Sequence, residues 1–145
     1  MIPRYNRPEI EKIWTLENKF KIWTEIEILI AKKLSDIGVI PKISFKEIKK
    51  KAKFKVDEII KLEKETKHDV NAYIDNVSKY IGKYSKYFHH GITSSDIIDT
   101  GFSIQLKQTG GIIHKELSIL LKKRGLNPKL TTHLEIDPKN GINCT

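Results

Sequence analysis

The chain has 145 residues, of which 39% are hydrophobic and 31% are charged. This length and composition predict one folded domain, or one domain with a tail, and exclude wholesale disorder. No apolar run approaches the roughly 18 residues that a membrane span requires, and the start, MIPRYNRPEIEK, lacks the apolar core of a signal peptide, so we expect a cytoplasmic protein. The single cysteine, Cys144, excludes an intrachain disulfide and a cysteine-rich zinc site.

The charge balance is basic, with 27 lysines and arginines against 18 acidic residues and a net charge of +9. A small basic helical module that binds nucleic acid or another anion is therefore one hypothesis. The only arginines are Arg4, Arg7 and Arg124, however, and nucleic-acid readers usually rely on arginine for bidentate contacts. Compositional drift toward lysine is the favoured interpretation, and the lysine run from Lys46 to Lys55 is interpreted as a solvated helix face.

Nearly every segment of the chain predicts a helix. A short helix is expected after Pro3 and Pro8, reaching Trp14. Thr15 is expected to cap a longer helix that stops at Gly38. The apolar positions of this second helix are three and four residues apart and share one face: Leu16, Phe20, Trp23, Ile26, Ile30, Leu34 and Ile37.

Three further helices are predicted in the middle of the chain. Ser44 and Glu47 have the spacing of a capping box at the start of a lysine-rich helix, and the next helix contains residues 56–63. The clearest helix has Asp69 in its first turn, where a carboxylate suits the helix dipole, and ends at Gly82. Its apolar residues follow helical spacing: Val70, Tyr73, Ile74, Val77 and Ile81.

A long helix is predicted from Asp96 to Arg124, interrupted by the flexible pair Gly110-Gly111. It is apolar on two sides, which indicates burial by several neighbours, so we expect subunit association. Residues 125–145 contain two prolines and lose the helical period, which predicts an irregular tail; no segment predicts a strand ladder. The two stripes of the long helix are Ile97, Gly101, Ile104 and Gln108, and Ile98, Phe102, Leu106 and Ile113.

Two of these helix starts carry candidate site residues. Residues 66–69, Thr-Lys-His-Asp, place a cation, an imidazole and a carboxylate where free backbone N–H groups favour anions; the alternative is an ordinary cap with solvated side chains. Residues 89–96 combine imidazoles, a glycine and hydroxyls, which suit a phosphate or carboxylate, or form only a turn and a cap. The five histidines lack metal-ligand spacing, so no metal site is predicted.

Three segments, in one order along the chain, match the motifs of a known family. The first contains Arg4-Tyr5, then Arg7-Pro8-Glu9, then Ile13-Trp14. The second is EKETKHDV, similar to a charged helix start, and the third is HHGITSSDIIDT, similar to a substrate-binding turn. Over residues 1 to about 124 the chain therefore resembles the bacterial and archaeal adenylosuccinate lyases of the fumarase/aspartase superfamily.

The resemblance implies an all-α fold. It implies an N-terminal helical lyase domain over residues 1–92, the first long helix of a central bundle over 93–124, and a non-family tail over 125–145. Members of the family are homotetramers whose active sites combine several subunits. They eliminate fumarate from adenylosuccinate, giving AMP, and from the succinylated aminoimidazole carboxamide ribonucleotide of purine biosynthesis, without a metal or organic cofactor. A base removes a proton beside a carboxylate, and an acid protonates the departing nitrogen.

The resemblance also implies roles for individual residues near the first two motifs. Arg4 and Tyr5 would contact the nucleotide. Lys67, His68 and Asp69 would form a substrate-binding patch, in which His68 lies near the departing nitrogen and assists the acid. The polar character of this helix start agrees with such a patch, because a helix N-terminus favours an anionic substrate.

In the third motif, Thr93 and Ser94 would donate hydrogen bonds to a substrate carboxylate, and His89 would lie near the phosphate. The chain departs from the family at His90, where tyrosine is common, and it lacks the family's G-R-[ST]-H-G segment with the acid histidine and the S-S-x-M-P-x-K-x-N-P loop with the base serine. We therefore expect the N-terminal portion of such a lyase, with a divergent or frameshifted tail after about residue 124, and no lyase activity from this chain alone.

Overall fold

The computed structural model describes residues 5–125 and, as backbone only, residues 134–137 and 141–144. The chain divides into two compact units, Met1–Gln108 and Thr109–Thr145, and the division falls within the longest helix. The predicted domain boundaries lie elsewhere and stay predictions. The helices of the described residues are α1 Pro8–Ile13, α2 Leu16–Asp36, α3 Lys42–Lys51, α4 Val56–Thr66, α5 Asp69–Ile81, a 3-10 helix Gly82–Tyr87 and α6 Ser94–Lys123.

The predicted start and stop of α2 are confirmed. The Thr15 hydroxyl accepts a hydrogen bond from the Asn18 backbone N–H at 3.2 Å, which satisfies one of the free donors of the first turn. The Asn18 side chain donates to the Ile13 carbonyl at 2.9 Å and so joins the end of α1 to the start of α2. After the helix, Gly38 has a φ of +79°, a left-handed conformation that glycine adopts without strain.

The predicted capping box at Ser44 and Glu47 is wrong. α3 begins at Lys42, directly after Pro41, whose φ of −60° is already suitable for helix entry. Ser44 therefore lies inside the first turn, where it is buried, and its hydroxyl has no hydrogen-bond partner among the described residues. Glu47 instead pairs with Lys51, one turn along the helix, at 2.6 Å.

The core of residues 5–108 forms around the apolar face of α2, and its centre is aromatic. The rings of Phe20 and Tyr73 stack with centroids 5.7 Å apart, and Trp23 meets Tyr73 edge to face at 5.4 Å. Phe88 closes the cluster at 6.1 Å from Tyr73. Such aromatic pairs contribute about 0.5–1.5 kcal/mol each beyond the area they bury, so α2 and α5 are joined strongly along this face.

The first part of α6 packs on α2 through one of its two predicted stripes. Ile97 is fully buried, and a Cβ atom on Gly101 would lie 2.9 Å from the Trp23 ring, so only glycine allows this approach. The second stripe is exposed, with Phe102 50% and Leu106 45% accessible. The predicted subunit association along this stripe stays a prediction.

The tail differs from the predicted irregular segment. Strand β1, Leu134–Asp137, pairs antiparallel with β2, Gly141–Cys144, in the register Leu134 to Cys144 and Asp137 to Gly141. Apolar residues alternate with polar ones in LEID and GINC, a period-two signal that the two prolines obscured. The all-α prediction is confirmed for residues 8–123. None of the described helices is long and apolar enough to cross a membrane.

Candidate functional site

The first candidate site, here the α5 corner, consists of Lys67, His68 and Asp69. Lys67 ends α4 in a left-handed conformation with a φ of 54°, so the chain reverses into α5. His68 is the N-cap of α5, and its Nδ1 accepts a hydrogen bond from the Asn71 N–H at 3.4 Å. Lys67 and His68 are both exposed, as the solvated alternative predicted, and both are therefore accessible to a ligand.

Asp69 fastens the α5 corner to α2. One carboxylate oxygen accepts from the Val70 N–H at 2.8 Å, and the other lies 3.0 Å from the Lys19 ammonium. The Lys19 nitrogen also lies 4.4 Å from the centroid of the Trp23 ring, within the range of a cation–π interaction. About a third of each charged side chain is exposed, so the pair neutralises Asp69 while leaving it reachable.

The second candidate site, here the α6 corner, consists of His89, Thr93 and Ser94. The chain approaches it through two left-handed residues, His89 with a φ of 57° and Gly91 with a φ of 74°. The Thr93 N–H donates to the Asp96 carboxylate at 2.8 Å, which is half of a capping box, and Ser94 is the first residue of α6. This turn has the cap that the alternative interpretation predicted, and the start of a helix such as α6 favours an anion in general.

Glu27 of α2 fastens the α6 corner, although no sequence motif singled it out. Its Oε1 lies 2.5 Å from His89 Nδ1, and its Oε2 accepts from the His89 backbone N–H at 3.1 Å. The residue is only 1% exposed, and burial raises the pKa of the Glu27 carboxyl, while the His89 hydrogen bonds and charge oppose that rise. The available signal was a glutamate four residues after Trp23, on the apolar face of α2.

Both corners are thus tied to one face of α2. Lys19 and Glu27 are eight residues apart, which is about 12 Å along a helix that rises 1.5 Å per residue. The two residues that anchor these helix starts are therefore about two turns of α2 apart. A ligand with a phosphate at one end and carboxylates elsewhere has anion-binding groups available at both corners.

Two predicted site residues are not placed at either corner. Arg4 lies outside the described residues. Tyr5 is 74% exposed, and its predicted contact with the nucleotide stays a prediction. No group of three histidine, cysteine, aspartate or glutamate side chains within the described part of the chain is arranged to hold a metal ion.

Two lysines of the run from Lys46 to Lys55 form ion pairs with glutamates. Lys51 pairs with Glu47 at 2.6 Å, and Lys55 pairs with Glu58 at 3.0 Å. These hydrogen bonds to lysine lower the pKa of Glu47 and of Glu58. The surface is therefore less uniformly positive than the sequence suggests, and nothing in these contacts favours a nucleic-acid site.

The helical arrangement matches that of a solved structure. It is similar to the crystal structure of a fumarate lyase from Mesorhizobium sp. BNC1, with a TM-score of 0.74 and 18% identity over 81% of this chain and 30% of that chain. At this identity the likeness shows the fold alone, and it confirms the all-α prediction. Residues 4–129 match the family described as Lyase. This match covers most of the sequence, and the chain belongs to that lyase family.

Comparison with curated relatives makes the family assignment more specific. The chain is 44% identical over 117 residues to adenylosuccinate lyase of Bacillus subtilis (strain 168), covering 81% of this chain and 27% of the relative. It is 42% identical over 121 residues to adenylosuccinate lyase of Streptococcus mutans serotype c (strain ATCC 700610 / UA159), covering 83% of this chain and 28% of the relative. The resemblance is confirmed, and the chain spans a little over a quarter of the length of these relatives.

Proposed function

We propose that this chain forms the N-terminal, substrate-binding part of an adenylosuccinate lyase. Its relatives at 42–44% identity carry that name. The observation that carries the proposal is that the α5 corner and the α6 corner are both fastened to one face of α2, through Lys19 and Glu27. The reaction would be elimination of fumarate from adenylosuccinate, and from its imidazole carboxamide counterpart in purine biosynthesis.

Each corner would hold a different part of the substrate. His89 would contact the phosphate, and Thr93 and Ser94 would donate hydrogen bonds to a carboxylate at the start of α6, where the helix dipole favours negative charge. Lys67 and His68 would face the succinyl group and the departing nitrogen. Arg4 and Tyr5 would contact the nucleotide. Asp69 would form part of the substrate-binding patch, because Lys19 neutralises its charge and so reduces repulsion of an anionic substrate.

The chemical step needs groups that these 145 residues do not contain. Neither the G-R-[ST]-H-G segment nor the S-S-x-M-P-x-K-x-N-P loop occurs in the sequence, so His68 is left with an assisting role. A positioned acid or base typically contributes about 10²–10⁴-fold to a rate. We therefore expect negligible fumarate release by this chain alone, and we propose no metal or organic cofactor.

We also propose that the protein is a homotetramer and lies in the cytoplasm. Neighbouring subunits would cover the exposed side of α6, where Ile98, Phe102 and Leu106 are at least 36% accessible. Within Thr109–Thr145, Leu117 and Leu120 of the same helix are also more than half exposed. Apolar residues exposed in such number on one helix are typical of a protein–protein interface.

Isothermal titration calorimetry with adenylosuccinate, AMP and succinate tests the proposal. We expect adenylosuccinate to bind more tightly than AMP, and AMP more tightly than succinate, because only the first engages both corners. Ser94→Ala should weaken adenylosuccinate binding, whereas Ser95→Ala, at the neighbouring exposed position, is the matched control. Absence of adenylosuccinate binding, or equal affinity for all three ligands, would contradict the proposal.

A fumarate-release assay tests the expected inactivity separately. The purified chain should release no fumarate above background when mixed with adenylosuccinate. Turnover at about 1 s⁻¹ or faster, the ordinary range for enzymes, would show that the chain supplies its own acid and base.

A further inference from the structure

We propose that Glu27 is a positioning residue for ligand binding: its buried side chain holds the ring and backbone of His89 so that the ring Nε2–H donates to an anionic group of the ligand. The inference rests on the proposed function, because it takes the α6 corner as part of the substrate site. It assigns a role to a residue of α2 that lies 62 positions before its partner in the sequence.

The geometry fixes His89 at two points. One oxygen of Glu27 pairs with the ring Nδ1 at 2.5 Å, and the other accepts from the backbone N–H of the same residue at 3.1 Å. His89 is one of two described residues other than glycine with a positive φ, a conformation that costs about 1–2 kcal/mol. A bidentate carboxylate therefore holds both the strained backbone and the direction of the ring.

The burial of Glu27 makes its hydrogen bonds to His89 necessary. At 1% exposure, the carboxyl group needs partners for its oxygens, and these oxygens contact the ring and the backbone N–H of His89. The nearby Tyr73 hydroxyl lies 2.9 Å from the Thr24 hydroxyl, and burial raises the pKa of Tyr73, so this group stays neutral.

We assign the second ring nitrogen of His89 to the ligand. With Nδ1 committed to Glu27, Nε2 is the remaining hydrogen-bonding atom of the ring. In the imidazolium, Nε2 carries a proton and donates to phosphate or carboxylate oxygens; in the neutral ring with a protonated Nδ1, Nε2 is an acceptor and disfavours an anion. The His89 side chain is 16% exposed, so the ring is buried on the side of α2 and still reaches solvent.

The experiment uses the full 145-residue chain and the variant Glu27→Gln, which keeps the shape of the side chain and removes its charge. Glu25→Gln is the matched control, because Glu25 is an exposed glutamate on the same helix. Long-range ¹H–¹⁵N NMR spectra report the ring nitrogens of His89 as the pH is varied, and titrations with AMP and with inorganic phosphate report binding at the amides of Thr93 and Ser94.

We expect Glu27→Gln to shift the ring-nitrogen signals of His89 and to weaken AMP and phosphate binding about tenfold, the loss of one charge-assisted hydrogen bond. Glu25→Gln should change neither measurement. If Glu27→Gln proves unfolded, His89→Gln in the wild-type background should reproduce the loss of binding. Wild-type affinity in a folded Glu27→Gln overturns the inference alone. Wild-type affinity in His89→Gln overturns the inference and also the phosphate contact proposed for His89. Absence of AMP, phosphate and adenylosuccinate binding by the wild-type chain overturns the proposed function, and the inference with it.

Discussion

The α5 corner and the α6 corner are fastened to the same helix by different means. At the α5 corner, a helix cap and the partly exposed Lys19–Asp69 pair hold the side chains, and most of these contacts are local. At the α6 corner, a fully buried carboxylate holds a left-handed residue across 62 positions of sequence. Local chain chemistry therefore shapes most of the first corner, to which packing adds one partly exposed ion pair, whereas the second corner depends on a contact in the folded core.

The largest expected effect on stability comes from a substitution that disrupts the α6 corner. Glu27→Ala should lower the free energy of unfolding by about 3 kcal/mol, because removing one partner of a buried pair leaves the other without its charge and hydrogen bonds. Urea denaturation followed by circular dichroism measures the change. Glu25→Ala, at the exposed position of the same helix, should change stability by less than about 0.5 kcal/mol. Equal losses for the two variants would contradict the comparison.

A smaller effect tests how closely α6 must approach α2 at Gly101. Gly101→Ala should destabilise the chain by about 2 kcal/mol, because the new methyl would lie 2.9 Å from the buried Trp23 ring. Gly110→Ala has no described atom within 4 Å of the new methyl and should stabilise α6 by about 0.8 kcal/mol through helix propensity. Thermal denaturation of both variants checks the prediction; a shift in the same direction for both would contradict it.

The α5 corner should be less sensitive. Lys19→Met should lower stability by about 1 kcal/mol, because a partly exposed ion pair and one cation–π contact are lost. Lys32→Met, which removes the exposed pair with Asp36 on the same helix, should have almost no effect. Both variants are compared by urea denaturation. A loss from Lys19→Met as large as that from Glu27→Ala would remove the distinction between the corners.

The pH dependence gives the smallest effect. Because burial raises the pKa of Glu27 above its ordinary value of 4.5, protonation of Glu27 contributes stability below that value, and this proton-linked contribution is lost as the pH rises through the pKa of the folded state. The unfolding free energy of the wild type, relative to Glu27→Gln, should therefore fall as the pH rises above 4.5. A relative stability that rises over the same range would show that the His89 charge outweighs burial.

The sequence predicted the parts of the fold whose signals are local. Thr15 as the cap of α2, Gly38 as its stop and Asp69 in the first turn of α5 were all confirmed, because capping and helical spacing act within a few residues. The capping box at Ser44 failed because Pro41 begins the helix one turn earlier. The two strands of the tail were not predicted, because its two prolines indicated an irregular segment and the alternation of apolar and polar residues is only four residues long in each strand.

The contacts that tie the candidate site to the core were not predictable in the same way. Asp69 and His89 were singled out from their helix starts, but their partners Lys19 and Glu27 belong to a different helix. Only the packing of α5 and α6 on α2 brings them together. A charged residue on an apolar helix face is the one sequence signal that pointed to Glu27, and it does not identify the partner.

The central claim is that one ligand spans both corners along α2. The most direct measurement is an NMR titration of the ¹⁵N-labelled chain with adenylosuccinate, following the amides of His68 and Asp69 at one corner and of Thr93 and Ser94 at the other. We expect all four signals to shift together with one dissociation constant. Shifts confined to one corner, or two different dissociation constants for the two corners, would contradict the account.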